Sequence, residues 1–280
     1  MWSHLTRGLL GLLLCLTATG VVQAQIAISP QTIDMTAAEG GKTHAFRLYN
    51  LTGRTKHVRV SLASWDMAED NKVHDLPPSE TSLDRWTIVN PLEFTLEPSK
   101  SQAVRLSIQP AVELAPGEHR VMVYFDEVPG TDTEESTLKV RFRIGAAVYM
   151  HVGPVTRGGT LNHSEADAAG YRLNVTTTGN ATSRFDGQFV VYETAHFPGE
   201  GKVPHIEKPG TPEMKLPEGA IRGGAIQATA VLPGNTRTVS GDYAGPPLPP
   251  GRYSIQFSGK FGETPVDRRV DVQVAAAPKH

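Results

Sequence analysis

The chain of 280 residues has one cysteine, Cys15, and it lies inside a short apolar run near the start of the sequence. That run, Leu9–Leu16, follows Arg7 and gives way to small residues ahead of Val22-Gln23-Ala24. A basic residue, an apolar stretch and a small-x-small site in this order predict a cleaved signal peptide over residues 1–24, with the mature chain starting near Gln25. The run is far shorter than the roughly 20 apolar residues of a membrane-spanning helix. No later stretch resembles one, so export without membrane insertion is expected. A lipid anchor on Cys15 is not expected, because Leu14 stands where a small residue is wanted. Stripped of Cys15, the exported chain has no thiol, which excludes disulfides and leaves its cores to hold by packing.

Charge of one sign is also lacking. Removing Arg7 from the 27 basic residues leaves 26 against 29 acidic ones, a net charge of −3. So small an imbalance excludes nucleic-acid or acidic-membrane binding by bulk field and points to protein partners. Convergent catalytic groups are missing too: the ten histidines are scattered and no mature cysteine exists, so neither enzyme activity nor a cofactor is expected. His196 and His205 share a loop with Glu193, Glu200 and Glu207, but their spacing matches no common metal site. Asn-x-Ser/Thr triplets at Asn50, Asn162, Asn174 and Asn180 would carry glycans only in a eukaryotic secretory route, and arise by chance in turn-rich chains.

Glycine and proline are abundant, at 27 and 21 residues, and they punctuate short runs rich in valine, isoleucine and aromatics. Period-two alternation recurs in Val104-Leu106-Ile108, Val121-Val123-Phe125, Tyr253-Ile255-Phe257 and Val270-Val272-Val274. No stretch carries a convincing helical stripe, so the chain is predicted to be all-β.

An internal repeat organises these strands. Leu114-Ala-Pro-Gly-Glu-His-Arg-Val121 reads like Leu248-Pro-Pro-Gly-Arg-Tyr-Ser-Ile255, each a Pro-Gly turn feeding an alternating strand. Upstream, Leu96-Glu-Pro-Ser-Lys100 matches Leu232-Pro-Gly-Asn235, and Phe46-Arg-Leu-Tyr-Asn-Leu-Thr-Gly53 matches Tyr171-Arg-Leu-Asn-Val-Thr-Thr-Thr-Gly179. Three elements repeated in one order imply two copies of one fold. About seven short strands per copy predict two tandem immunoglobulin-like β-sandwiches, over residues 25–153 and 154–280. Residues 196–224 of the second copy, dense in proline, glycine and charge, are expected to form a long exposed loop.

The stretch Leu138–Met150 keeps one apolar face through Leu138, Val140, Phe142, Ile144, Ala146 and Val148, while its other face begins Lys139, Arg141, Arg143. Basic residues on one face are how a sheet edge stays soluble and unpaired. From the alternation alone this can be an ordinary terminal strand, apolar side inward.

Taken together, Ile28-Ser-Pro30, the Asn50 turn, Trp65, Val89-Asn-Pro-Leu-Glu-Phe-Thr-Leu-Glu-Pro98, Gln102-Ala-Val-Arg-Leu106 and Tyr124-Phe-Asp-Glu-Val-Pro129 resemble the periplasmic pilus-assembly chaperones, across nearly the whole mature chain. The resemblance implies a periplasmic, non-enzymatic protein that binds pilus or fimbrial subunits and passes them to an outer-membrane usher, a role in fimbrium biogenesis and cell wall organization. It further implies β-augmentation, in which the last strand of the first domain completes a subunit that lacks one. The lent side chains would be Leu138, Val140, Phe142 and Ile144. A self-capping dimer through the same edge is a further expectation.

Two family features are altered here. The family anchors the subunit's C-terminal carboxylate on a basic pair, whose positions fall at Thr32 and at or near Ala147, neither of them charged. Arg141, Arg143 and His151 are the candidate substitutes, the alternative for each being a solvated basic residue on a strand edge. The family's interdomain ion-pair network would map to Glu118, His151 and Lys260, and a Glu118–Lys260 pair is the form this sequence allows. The rival reading is an immunoglobulin-like structural or adhesive surface protein with no chaperone cycle.

Overall fold

The computed structural model describes residues 26–67, 69, 72–128 and 141–276. The signal peptide expected over residues 1–24 lies outside them, as do Leu138 and Val140. The described chain forms two tandem immunoglobulin-like β-sandwiches. The first contains β1 (Ile26–Ser29), β2 (Thr32–Thr36), β3 (His44–Asn50), β4 (Lys56–Met67), β5 (Val73–Leu76), β6 (Thr87–Asn90), β7 (Glu93–Leu96), β8 (Ser101–Ile108), β9 (Gly117–Glu127) and β10 (Arg143–Val152). One of its sheets runs β1-β3-β8-β6 and the other β2-β10-β9-β4-β5, with β7 also paired to β4. The second sandwich contains β11 (Gly159–Ala166), β12 (Gly170–Thr177), β13 (Phe185–Glu193), β14 (Ala220–Ala225), β15 (Thr236–Asp242), β16 (Gly251–Phe261) and β17 (Thr264–Val274). Its sheets run β11-β12-β15 and β14-β13-β16-β17.

The repeat seen in the sequence is the repeat of the fold. The two Pro-Gly turns open β9 and β16, and the two upstream turns feed β8 and β15. Each core is built from alternate residues of facing sheets, which is what period-two patterning dictates. In the first, Phe46 of β3 meets Phe125 of β9 edge-on, ring centroids 6.1 Å apart. In the second, Tyr171 of β12 meets Phe257 of β16 at 5.2 Å. Such contacts between large rings dominate a core that has no disulfide.

One buried polar residue closes the first sandwich. Asn50 is fully buried at the end of β3, and its side-chain amide donates to the carbonyls of Arg54, Leu96 and Glu97 at 2.8, 2.9 and 3.2 Å. Its Oδ1 accepts from Thr52 N at 3.0 Å and Thr52 Oγ1 at 2.7 Å. The side chain therefore staples the turn after β3 to the turn after β7, and every polar atom is used.

The segment expected as an exposed loop in residues 196–224 runs without a strand from 197 to 219 and is mostly exposed there, and it departs from that expectation in two places. Its last part forms β14 beside β13. Before that, the chain folds over the outer face of the sheet, where Ile206 is buried with Val190 and Tyr192. The buried amide of Gln188 fixes it, donating to Pro204 O at 2.9 Å and accepting from Ile206 N at 2.6 Å. The physical reason is on β13 itself: Val190 and Tyr192 point away from the core and need cover.

Replacing Asn50 with alanine leaves three turn carbonyls without their donor. Asn50→Ala should lower stability by roughly 2–4 kcal/mol, read as a shifted denaturant midpoint at unchanged slope; a midpoint equal to wild type would show that the staple is dispensable.

Candidate functional site

The candidate strand β10 changes character along its length. Over Ala147–His151 it is paired on both sides, antiparallel to β9 and parallel to β2. Over Arg143–Ala146 its one strand partner among the described residues is β9. Phe142 extends that ladder, its carbonyl accepting from Glu127 N at 3.0 Å. In an antiparallel pair, alternate residues direct both backbone groups to the same neighbour. Since Phe142 bonds toward β9, Arg143 and Gly145 direct their N–H and C=O groups to the open side. Four backbone groups therefore line an edge that no strand among the described residues pairs, beside the core.

Side chains alternate with the same period. Phe142 and Ile144 pack half-buried against the end of the first core, followed inward by Ala146, Val148 and Met150. Arg143, Gly145, Ala147, Tyr149 and His151 stand on the opposite face. There Ala147 and Tyr149 are buried with Trp65 and Met122 against Leu232 of the second sandwich. An apolar strand face needs a cover on both sides to be this buried, and the second sandwich is the outer cover.

The seam between the sandwiches centres on Glu118, whose side chain is 1% exposed. Its carboxylate accepts from Thr182 N at 2.8 Å and Thr182 Oγ1 at 2.6 Å, and from Arg120 at 3.1 Å. Its backbone N donates to Asn180 O at 2.9 Å. A second bridge is Asn235, whose amide donates to Asp66 Oδ1 at 3.0 Å and Met67 O at 2.9 Å. The expected Glu118–Lys260 pair is not formed: Lys260 is exposed on β16 opposite Asp186. Neutral donors from Thr182 take the place across the seam expected of an ion pair. Of the three mapped network residues, His151 does approach, at 3.6 Å from Glu118, with Arg157 Nη2 3.2 Å from its ring.

The positions expected for the family's basic pair, Thr32 and Ala147, are direct partners in the parallel register of β2 and β10. The proposed substitutes do not gather around them. Arg141 is exposed ahead of β10, and Arg143 and His151 lie near opposite ends of it. Eight residues of strand separate that pair by about 26 Å, too far to share one carboxylate.

Arg143 is engaged elsewhere. Its guanidinium stacks 3.8 Å from the ring of Tyr124 and sits 3.3 Å from Asp126 and 3.4 Å from Asp75. Tyr124 donates to Asp75 Oδ1 at 2.5 Å. Burial, then the hydrogen bond and charge of Asp75, push the Tyr124 phenol up to about 12. Among the described residues no group of three or more His, Cys, Asp or Glu could hold a metal ion. His196 pairs with Glu193 at 3.4 Å, both exposed.

Sequence reading missed Asp75, Thr182 and Asn235. The first two sit in no motif, and only the folded register brings them to Arg143 and Glu118. Asn235 ends the repeated turn Leu232-Pro-Gly-Asn, which flagged a turn but gave no sign of its partner.

No protein-family model matches the chain, and neither does any curated protein. Solved structures do match. One is a chaperone–tip adhesin complex of CFA/I fimbriae biogenesis, at 12% identity and TM-score 0.45, covering 91% of this chain and 100% of that one. Another is the CsuC–CsuE chaperone–tip adhesion subunit complex of archaic Csu pili from Acinetobacter baumannii, at 14% identity and TM-score 0.44, covering 89% and 98%. A third is the SafB chaperone with SafA pilin from Salmonella enterica, at 12% identity and TM-score 0.42, covering 91% and 98%. All three hold a chaperone of fimbriae or pili.

Glu118→Ala removes the acceptor for Thr182 and opens the seam. The radius of gyration in solution scattering should rise and the unfolding midpoint fall, by about 2–4 kcal/mol in stability. A scattering curve identical to wild type would show that Leu232 and Asn235 hold the sandwiches alone.

Proposed function

We propose that the chain is an exported, non-enzymatic chaperone of pilus or fimbrial subunits, working in the periplasm by lending a β-strand. The observation that carries this reading is the open edge of β10 over Arg143–Ala146, continuous with a strand that is locked on both sides beyond it. Backbone groups at Arg143 and Gly145 supply the ladder for a partner strand, and Phe142 and Ile144 supply alternate apolar side chains. The motif resemblance from Ile28 through Pro129 supports it independently. Leu138 and Val140 would extend the lent face, each such side chain contributing roughly 1.5–3 kcal/mol when buried in the partner.

The register also limits how a partner would fit. A strand running parallel to β10, as β2 does, would be collinear with β2 and would end where Thr32 begins. Its terminus would meet Thr32 and Ala147, so anchoring rests on backbone pairing and burial more than on charge. Delivery to an outer-membrane usher completes the proposed cycle, and pairing of the open edges of two copies is the corresponding resting form.

The test is periplasmic co-expression with a pilus subunit that lacks its completing strand. The wild-type chain should rescue the subunit from aggregation and co-purify with it, while Val140→Glu/Phe142→Glu should lose it and keep a folded circular-dichroism spectrum. Undiminished co-purification with that variant would sink the strand-lending reading. Stable display of the chain on the cell surface, with no subunit bound, would favour a structural or adhesive protein.

A further inference from the structure

The strand β5 has no evident place in the sandwich. All four of its residues are exposed, and its one strand partner among the described residues is the outer end of β4. Its register nevertheless puts Asp75 opposite Trp65, on the face that looks toward the second sandwich. From there its carboxylate receives the Tyr124 hydroxyl and reaches Arg143, the first residue of the open edge.

The direction of that reach is informative. The sheet order is β2-β10-β9-β4-β5, so the open side of β10 faces β2. The groups that hold Arg143 are Asp126 and Tyr124 on β9 and Asp75 on β5, all on the other side. Its guanidinium is thus drawn across the sheet and away from the edge. Of the residues that face outward along the edge and at its end, Gly145 has no side chain and Ala147 has a methyl group. Within Arg143–Ala147, Arg143 is the one long side chain on that face. A basic side chain over an edge is a common way to stop another strand from pairing.

We propose that Asp75 is a positioning residue that withdraws Arg143 from the open edge of β10 and so keeps the edge able to accept a strand; this rests on the strand-lending reading above. A lone exposed ion pair holds a side chain weakly. Here two carboxylates and a planar stack on Tyr124 act on one guanidinium, whose fork suits both. The arm formed by β4 and β5 is therefore a device for keeping the edge clear.

The test uses the full-length secreted chain and the same strand-deficient subunit as probe. Asp75→Ala and Asp75→Asn should each reduce the subunit captured by about fivefold. The asparagine variant keeps an acceptor for Tyr124, which guards against loss of β5. The decisive arm adds Arg143→Ala to Asp75→Ala: with no arginine left to swing over the edge, capture should return to near the wild-type level. A merely structural role for Asp75 predicts no such rescue. Wild-type capture by both single variants, or a double variant as impaired as Asp75→Ala, overturns this proposal and leaves strand lending intact. A wild-type chain that captures no subunit overturns both.

Discussion

The rest of the molecule depends on β10 being satisfied on both edges for one half of its length and on a single edge for the other. Between Ala147 and His151 the strand has β9 on one side, β2 on the other, the first core beneath and the second sandwich above. Nothing in that half can move without breaking two ladders. The half before it inherits this rigidity while one row of its backbone groups meets no strand among the described residues. A flexible segment would have to be ordered on binding, at a cost of about 1–2 kcal/mol per residue in backbone entropy. Anchoring the strand at its far end removes much of that cost beforehand.

The seam follows from the same arrangement. Tyr149 and Ala147 point away from the first core, so they need an outer cover, and Leu232 supplies it. Glu118 and Asn235 flank this apolar centre with directional bonds. Packing thus sets where the sandwiches touch, and hydrogen bonds set the angle. The buried carboxylate is tolerable because a peptide N–H, a hydroxyl and a guanidinium all reach it.

Much of the fold was legible in the sequence because its signals are local. Alternating residues marked the strands, Pro-Gly turns marked β9 and β16, and the repeat of three elements gave two copies. Within the segment 196–224, β14 and the buried Ile206 were not legible, because composition describes exposure only on average. A lone Ile206 and a Gln188 eleven residues upstream of the segment's first glycine carry no pattern, yet together they bring the segment onto the sheet. The site was legible in part for a related reason. The alternation around Phe142 and Ile144 could be read, but which edge of the strand is open depends on where β2 stops. The partner of Glu118 was misassigned to Lys260 because charge is visible in a sequence and a well-placed Thr182 is not.

The choice of Thr182 over a lysine has a consequence of its own. Coulomb attraction between exposed charges fades as ions crowd around them, with a screening length of about 10 Å at 0.1 M salt. A bond from a peptide N–H or a hydroxyl to a dry carboxylate is far less affected. The bonds that Thr182 and Asn235 make across the seam are therefore little affected by the ionic composition of the medium. The seam would thus hold its setting in dilute and concentrated salt alike.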